Sequence, residues 1–222
     1  MVSGVENFNV VAMRRSGHHA IIRWMAGHFN KTIFHNDYGQ DGSSQPRSND
    51  DHIAGIYTFH DEGTGDCRIV NFEDFSVSEA PRPTVLVLRD PYNCFASRLK
   101  ARFELEHALD EVSVTLWLEH AKSFHSNGVY PISYNRWFID EEYRARISQE
   151  LLHRPYSSKH LDRVSQFGLY SSFDGPEYEG RATDMKVLSR WRECVDDPRF
   201  AMILKDNEIR QLTLELFGEL TV

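Results

Sequence analysis

Residues 8–21 read FNVVAMRRSGHHAI, and this stretch decides the fold class. The apolar run 8–13 is typical of a buried strand. Residues 14–17 are polar, contain a glycine and predict a turn. Apolar residues then recur at helical spacing, which predicts a helix over 18–29. A strand, a tight turn and a helix in this order are the opening unit of a parallel α/β domain.

The rest of the chain continues the alternation of strands and helices. Apolar runs predict further strands over 32–35, 53–60, 84–88 and 129–133, and helical spacing predicts helices over 91–103, 112–124, 140–152, 184–195 and 207–217. Residues 37–51 are predicted to be a loop and residues 154–183 to be irregular. We therefore expect one domain over residues 1–222, a three-layer α/β/α fold with a central, mostly parallel sheet.

Composition restricts the classes of function. The 222 residues carry 33 acidic and 25 basic side chains, a net charge of −8, which disfavours binding to nucleic acid over a broad surface. The basic residues are 19 Arg and 6 Lys, and Arg suits bidentate binding of phosphate. Three widely separated cysteines predict neither a disulfide framework nor a zinc knuckle. With no signal-peptide pattern and no membrane span in the sequence, we expect a cytoplasmic protein.

The turn over 14–17 is a candidate anion site. The N-terminus of a helix leaves backbone N–H groups unpaired and carries positive partial charge, so a helix that follows a strand and a glycine turn cradles anions. Gly17 lets the backbone approach a ligand closely, and Arg15 can neutralise charge. The pattern G-x-x-x-x-G-K-[ST] is absent, which counts against hydrolysis of ATP or GTP.

A second candidate segment follows the strand predicted over 84–88 and reads RDPYNCFAS. Arg89 lies where the strand ends, and Ser97 lies two turns along the next helix, with Asp90 as its cap and Pro91 in its first turn. Because parallel strands present their carboxyl ends at one edge of the sheet, we expect both segments at a single site.

Together the two segments resemble the sulfotransferase family, the enzymes that use 3′-phosphoadenosine-5′-phosphosulfate (PAPS). The family's first motif is a strand followed by Pro-Lys-Ser-Gly-Thr-Thr-Trp or a variant with Arg-Ser-Gly, and residues 15–20 read RSGHHA in its place. Its second motif is a strand, an Arg and a Ser eight residues later, the spacing of Arg89 and Ser97. Looser similarities are Tyr134, the Ser-Phe element at 171–173, Arg181 and the Arg-Trp pair at 190–191.

The resemblance implies a phosphate-loop nucleotide-binding fold and transfer of a sulfuryl group from PAPS to a hydroxyl or amine. The product of the donor would be 3′-phosphoadenosine-5′-phosphate (PAP), and no metal would be required. The acceptor would be a small molecule or a glycan, and the sequence names neither the acceptor nor the oligomeric state. The residues implied to bind the donor are Arg14, Arg15, Ser16, Gly17, His18, His19, Ala20, Arg89, Ser97 and Arg181, of which Arg15 would also be catalytic.

The sequence departs from the family pattern within the turn. His18 and His19 replace paired Thr residues, so hydroxyl contacts to the 5′-phosphosulfate would become imidazole contacts. Donor binding would then depend on pH near neutrality. Arg15 replaces Lys, which keeps the charge and changes its geometry.

A third segment, the end of the strand predicted over 53–60, is expected at the same carboxyl edge, beside Arg14 and Arg89, and provides the predicted base. Sulfuryl transfer needs a group that takes the acceptor's proton. Relatives place a His after a strand here, so the resemblance implies that His60 is this base, with Glu62 or Asp61 as the alternative.

The sequence leaves two other functions to compare with sulfuryl transfer. A nucleotide kinase is disfavoured because the phosphate-loop Lys and the Mg²⁺-binding Ser or Thr are missing. A non-catalytic nucleotide-binding protein of the same fold stays open. A metal site is not predicted, because His18 and His19 are adjacent and are expected not to share a helix face.

Overall fold

The computed structural model describes residues 5–36, 55–59, 66–101, 109–164, 171 and 173–220. Helices cover both faces of a central sheet, which confirms the predicted α/β class and its three layers. The sheet has six strands in the order β3-β2-β4-β1-β5-β6. They are β1 Glu6–Ala12, β2 Thr32–Asn36, β3 Gly55–Phe59, β4 Cys67–Glu73, β5 Thr84–Leu88 and β6 Val129–Ser133.

Five of these strands are parallel, and β3 is an antiparallel edge strand. The described helices are α1 His18–Ala26, α2 Pro91–Lys100, α3 Glu111–Ser123, α4 Tyr134–Ile139, α5 Glu141–Glu150, α6 Pro198–Lys205 and α7 Asn207–Phe217. Two 3₁₀ helices span Ala182–Asp184 and Arg190–Cys194. Among these described helices, none combines the length and the apolar composition needed to cross a bilayer.

Alternate residues of the central strands serve two separate cores. Val10 and Ala12 of β1 pack on the layer of α1, α4 and α5, whereas Val11 packs on the layer of α2, α3, α6 and α7. Because both faces of β1 and β5 are covered, their buried residues are apolar apart from Thr84 at the start of β5. This burial places β1 at the centre of the molecule and its carboxyl end beside those of β4 and β5.

The strands and helices differ from prediction in four places. The strand β4 was not predicted, since polar Arg68 and Asn71 interrupt its apolar pattern. The helices α4 and α6 were also not predicted. The helix predicted over 184–195 is wrong, because the structure has only a 3₁₀ helix at 190–194, where the Trp191 N–H donates to Asn93 Oδ1 on α2.

The direction of β3 changes the expected layout of the site. Phe59, its last residue, pairs with Thr32, the first residue of β2, and Thr32 lies level with Cys67 at the start of β4. The strand β3 therefore ends at the amino edge of the parallel strands, and the expectation that it ends beside Arg14 and Arg89 is wrong. His60, Asp61 and Glu62 themselves lie outside the described residues.

Candidate anion-binding site

The turn between β1 and α1 is tight and left-handed at two positions. Arg15 has φ +68° and Gly17 has φ +82°. The Ser16 N–H donates to the Met13 carbonyl at 3.1 Å and closes the turn. Left-handed backbone suits glycine and is costly for residues with a Cβ, so Arg15 is held there by its surroundings.

Gly17 is required by a close neighbour as well as by its dihedral angles. A Cβ at this position would lie 2.2 Å from Cε2 of Tyr134, the first residue of α4. Real Cβ atoms do not approach ring atoms so closely. The Tyr134 ring therefore lies directly against the Gly17 backbone, and it joins the carboxyl end of β6 to the turn.

The N-cap of α1 is Gly17, which has no side chain to cap the helix, and the first turn contains no acidic residue. The first N–H groups of a helix lack partners within the helix. Together with the helix dipole, these groups form a positive end at the carboxyl edge of the sheet, which fits a bound anion.

Arg89 brings the second predicted segment to this turn. Its Nη1 donates to the Arg15 carbonyl at 3.2 Å, and its Nη2 donates to the Val187 carbonyl. The guanidinium lies 4.9 Å from the centroid of the Tyr134 ring. The side chain is 3% exposed, and its Nε has no hydrogen-bond partner among the described residues.

Arg190 provides a second buried guanidinium near Arg89. It is 7% exposed, pairs with Asp174 and lies 5.1 Å from the centroid of the Phe173 ring. Burial lowers the pKa of Arg190, and the positive charge of Arg89 lowers it further. Two guanidiniums close enough to interact in the interior favour an anion between or beside them.

Three ionisable side chains meet beneath the turn. His18 Nε2 lies 2.7 Å from Glu73 Oε1, and His19 Nε2 lies 3.2 Å from the same oxygen. The centroids of the two imidazole rings are 4.1 Å apart. The expectation that the two histidines diverge is wrong, because both rings reach a carboxylate at the carboxyl end of β4.

Neighbouring polar groups complete this buried network. His19 Nε2 lies 2.8 Å from Asn36 Oδ1, and Asn71 Nδ2 donates to Asn36 Oδ1 at 3.1 Å. Arg14 Nε donates to Glu73 Oε2 at 3.2 Å. The carboxyl ends of β2 and β4 therefore hold the first turn of α1 by polar contacts.

The network lowers the pKa values of both His19 and Glu73, for different reasons. Burial lowers the pKa of His19 to about 3, and the positive charge of His18 acts in the same direction. Burial alone would raise the pKa of Glu73, but the hydrogen bond from His18 and the positive charges around it outweigh burial, so this pKa is lowered. We therefore expect a neutral His19 and an ionised Glu73 at neutral pH.

The structure brings some of the predicted residues together and separates others. Arg14, Arg15, Ser16, Gly17, His18, His19 and Ala20 form the turn and the start of α1, and Arg89 contacts this turn. Ser97 is buried on α2. Arg181 is exposed and lies 4.7 Å from the centroid of the Tyr178 ring, so Arg190 is the better candidate for a cation beside Arg89.

Asn36 on β2 was not predicted as a site residue, and neither were Glu73 and Asn71. Both lie on β4, which was itself missed. The signal that could have found them is the sequence CRIVNFED, in which an apolar run ends in two carboxylates after polar Asn71. A buried strand that ends in acidic residues is a candidate for the carboxyl edge of a parallel sheet.

No model of a known protein family matches the chain, and no curated protein matches it.

Proposed function

We propose that the protein is a PAPS-dependent sulfotransferase. It would transfer the sulfuryl group of PAPS to a hydroxyl or amine of an acceptor and release PAP. The 5′-phosphosulfate would lie at the N-terminus of α1 with Arg15, and the 3′-phosphate would lie toward Arg89 and Arg190. The chain's resemblance to the family in residues 15–20 and in the Arg89 segment is the reason for naming PAPS.

One observation carries the proposal. The two segments that resemble the family are 74 residues apart, yet Arg89 donates to the carbonyl of Arg15 inside the turn. A chance resemblance in two unrelated segments does not require them to touch. Their contact at the carboxyl edge of the sheet is what one nucleotide spanning both segments needs.

The charges of the site suit the transfer itself. As the sulfuryl group leaves, negative charge grows on the 5′-phosphate of the departing PAP. Unpaired N–H groups and fixed guanidiniums stabilise such charge without rearranging. The open N-terminus of α1 and the Arg15 side chain would supply this stabilisation.

The proton acceptor is a separate question from donor binding. His60 is the predicted base and lies outside the described residues. Glu73 is the carboxylate beside the turn, but it is 3% exposed, bound by His18 and Arg14, and has a lowered pKa. These features make Glu73 a weak base, so His60 stays the predicted base, although Phe59 directly before it lies at the amino edge of the parallel strands, opposite the turn.

Donor binding is tested by comparing the thermal unfolding of the protein with PAP, ATP and AMP. A ligand that binds only the native state stabilises it by about 2.7 kcal/mol at 100 times its dissociation constant. We expect PAP to raise the Tm more than ATP or AMP does. Equal shifts from ATP and PAP would contradict the assignment of a 3′-phosphate site.

The base is tested with ³⁵S-labelled PAPS and a panel of acceptors. His60→Ala should abolish transfer and leave PAP binding intact, whereas the exposed His125→Ala should change neither. If His60→Ala retains wild-type turnover and Glu73→Gln loses it while still binding PAP, the base is Glu73.

A further inference from the structure

Five polar atoms form a closed ring beneath the turn. Around the ring they are His18 Nε2, Glu73 Oε1, His19 Nε2, Asn36 Oδ1 and Asn71 Nδ2. Successive separations are 2.7, 3.2, 2.8, 3.1 and 3.2 Å. All five residues are at least nine-tenths buried. Such a ring of donors and acceptors is compact enough to enclose one ion.

The spacing of the ring matches the ligand shell of a transition metal. Bonds from such a metal to imidazole nitrogen or to oxygen are about 2.1 Å long. Two ligands at right angles are then about 3.0 Å apart, and a tetrahedral pair is about 3.4 Å apart. The observed separations lie nearer the first value, which favours five or six ligands. The histidine and carboxylate atoms also lie within 4.8 Å of one another, as one shell requires.

Groups outside the ring are arranged to orient its ligands. A metal-binding imidazole commonly donates its other N–H to an oxygen, and His18 Nδ1 lies 3.1 Å from Ser16 Oγ. Arg14 Nε binds Oε2 of Glu73, which leaves Oε1 in the ring. The positive charge of Arg14 weakens cation binding, and the Glu73 carboxylate offsets it.

The side-chain amide of Asn71 bears on how the ring would bind an ion. Its Oδ1 is buried and has no hydrogen-bond partner among the residues that the structure describes, although its Nδ2 points into the ring. Buried polar atoms are rarely left unpaired. A half-turn of the amide would bring Oδ1 into the ring, where it can bind a cation, and would move Nδ2 to the buried position that has no described partner.

We propose that His18, His19 and Glu73, with the side-chain oxygens of Asn36 and Asn71, bind a divalent transition-metal ion. Both imidazoles would bind through Nε2 in the tautomer that carries its proton on Nδ1. The ion would tie the first turn of α1 to the ends of β2 and β4. It would hold the anion-binding turn in place and leave the transfer chemistry to the arginines, so the inference does not depend on PAPS.

The test is metal binding by the protein without an affinity tag, after treatment with EDTA. Titration calorimetry with Co²⁺ should give one tight equivalent, and bound Co²⁺ should develop visible ligand-field bands. Ser16→Ala should weaken Co²⁺ binding by about 10–100-fold, the usual effect of losing an outer partner of a ligand. The exposed His125→Gln is the control and should bind as the wild type does.

His18→Gln should abolish the tight equivalent, with the fold checked by circular dichroism. Should that variant fail to fold, Asn71→Asp decides, because an added carboxylate in the ring should tighten Co²⁺ binding by about tenfold. The proposal is overturned if the wild type binds no equivalent. It is also overturned if Ser16→Ala and Asn71→Asp bind Co²⁺ with wild-type affinity.

Discussion

The helices α1 and α2 start beside each other, at the carboxyl ends of neighbouring parallel strands, yet their N-termini differ. The Asp90 carboxylate caps α2, accepting from the Asn93 N–H at 2.8 Å and from Asn135 Nδ2 at 2.8 Å. The helix α1 begins at Gly17, which has no side chain to cap it, and the Glu73 carboxylate lies beneath its first turn, bound by His18 and Arg14. The carboxylate at α2 accepts from a backbone N–H, whereas the described contacts of the one beneath α1 are with side chains.

The comparison teaches which of two similar turns can bind a ligand. A helix N-terminus that is already neutralised by a buried carboxylate repels a second negative charge. The Glu73 carboxylate near α1 is instead bound by His18 and Arg14, whose positive charge offsets it, and the Tyr134 ring lies against Gly17. Arg89, the residue before Asp90, turns its guanidinium toward the α1 turn, so the second segment adds positive charge to the first.

The largest expected effect is that of Gly17→Ala. The new Cβ would combine left-handed strain with a 2.2 Å contact to Tyr134. We expect the free energy of unfolding to fall by about 3–5 kcal/mol and PAP binding to be lost. Urea denaturation and calorimetry with PAP measure these two effects.

Gly180→Ala is the matched control for that prediction. Gly180 has φ +80°, and a Cβ there would meet no atom within 4 Å. It should cost about 1–2 kcal/mol through backbone strain alone and leave PAP binding unchanged. Equal effects of the two variants would mean that the contact with Tyr134 is unimportant.

Removing the cap of α2 should give the next largest effect. Asp90→Ala leaves Asn93 and Asn135 without their buried acceptor, and we expect a loss of about 2–3 kcal/mol of stability. Asp206→Ala removes a simpler cap, at α7, and should cost about 1 kcal/mol. If Asp90→Ala creates a second binding site for PAP at α2, the Asp90 carboxylate is what keeps anions from the N-terminus of this helix.

The sequence predicted one half of this comparison well. The strand at 84–88 is a continuous apolar run, and the Asp90 and Pro91 pair marks the start of α2 by local chemistry alone. The interior of the site depends on pairing between distant segments instead. Glu73 meets His18 only because β4 lies beside β1. The direction of β3 is set by its pairing with β2. Local sequence patterns therefore predict neither the contact nor the strand direction.

Arg89→Ala tests the link between the two turns. We expect PAP affinity to fall by about 1.5–3 kcal/mol, the range for hydrogen bonds to charged groups. Arg89→Lys should recover part of this loss through its charge, without the paired contacts to the Arg15 and Val187 carbonyls. Unchanged PAP affinity in Arg89→Ala would place the 3′-phosphate elsewhere.

The pH dependence of stability that His19 imposes is expected to reach about 2 kcal/mol between pH 7 and 5. Its pKa is about 3 in the folded state against a usual 6.5, so below pH 6.5 the unfolded chain binds a proton that the folded chain does not. Stability should therefore fall as the pH falls from about 6.5 toward 3, with a slope approaching about 1.4 kcal/mol per pH unit. Urea denaturation between pH 7 and 5 should show a flatter profile for His19→Gln, and identical profiles would refute a neutral, buried His19.

The most direct test of the open helix end is the response of backbone amides to PAP by NMR. We predict large chemical-shift changes for the N–H groups of Gly17, His18 and His19. The N–H of Asn93 should change little, because it already donates a hydrogen bond to Asp90. Shifts centred on Asn93, or saturable PAP binding that leaves the amides of residues 17–19 unmoved, would contradict it.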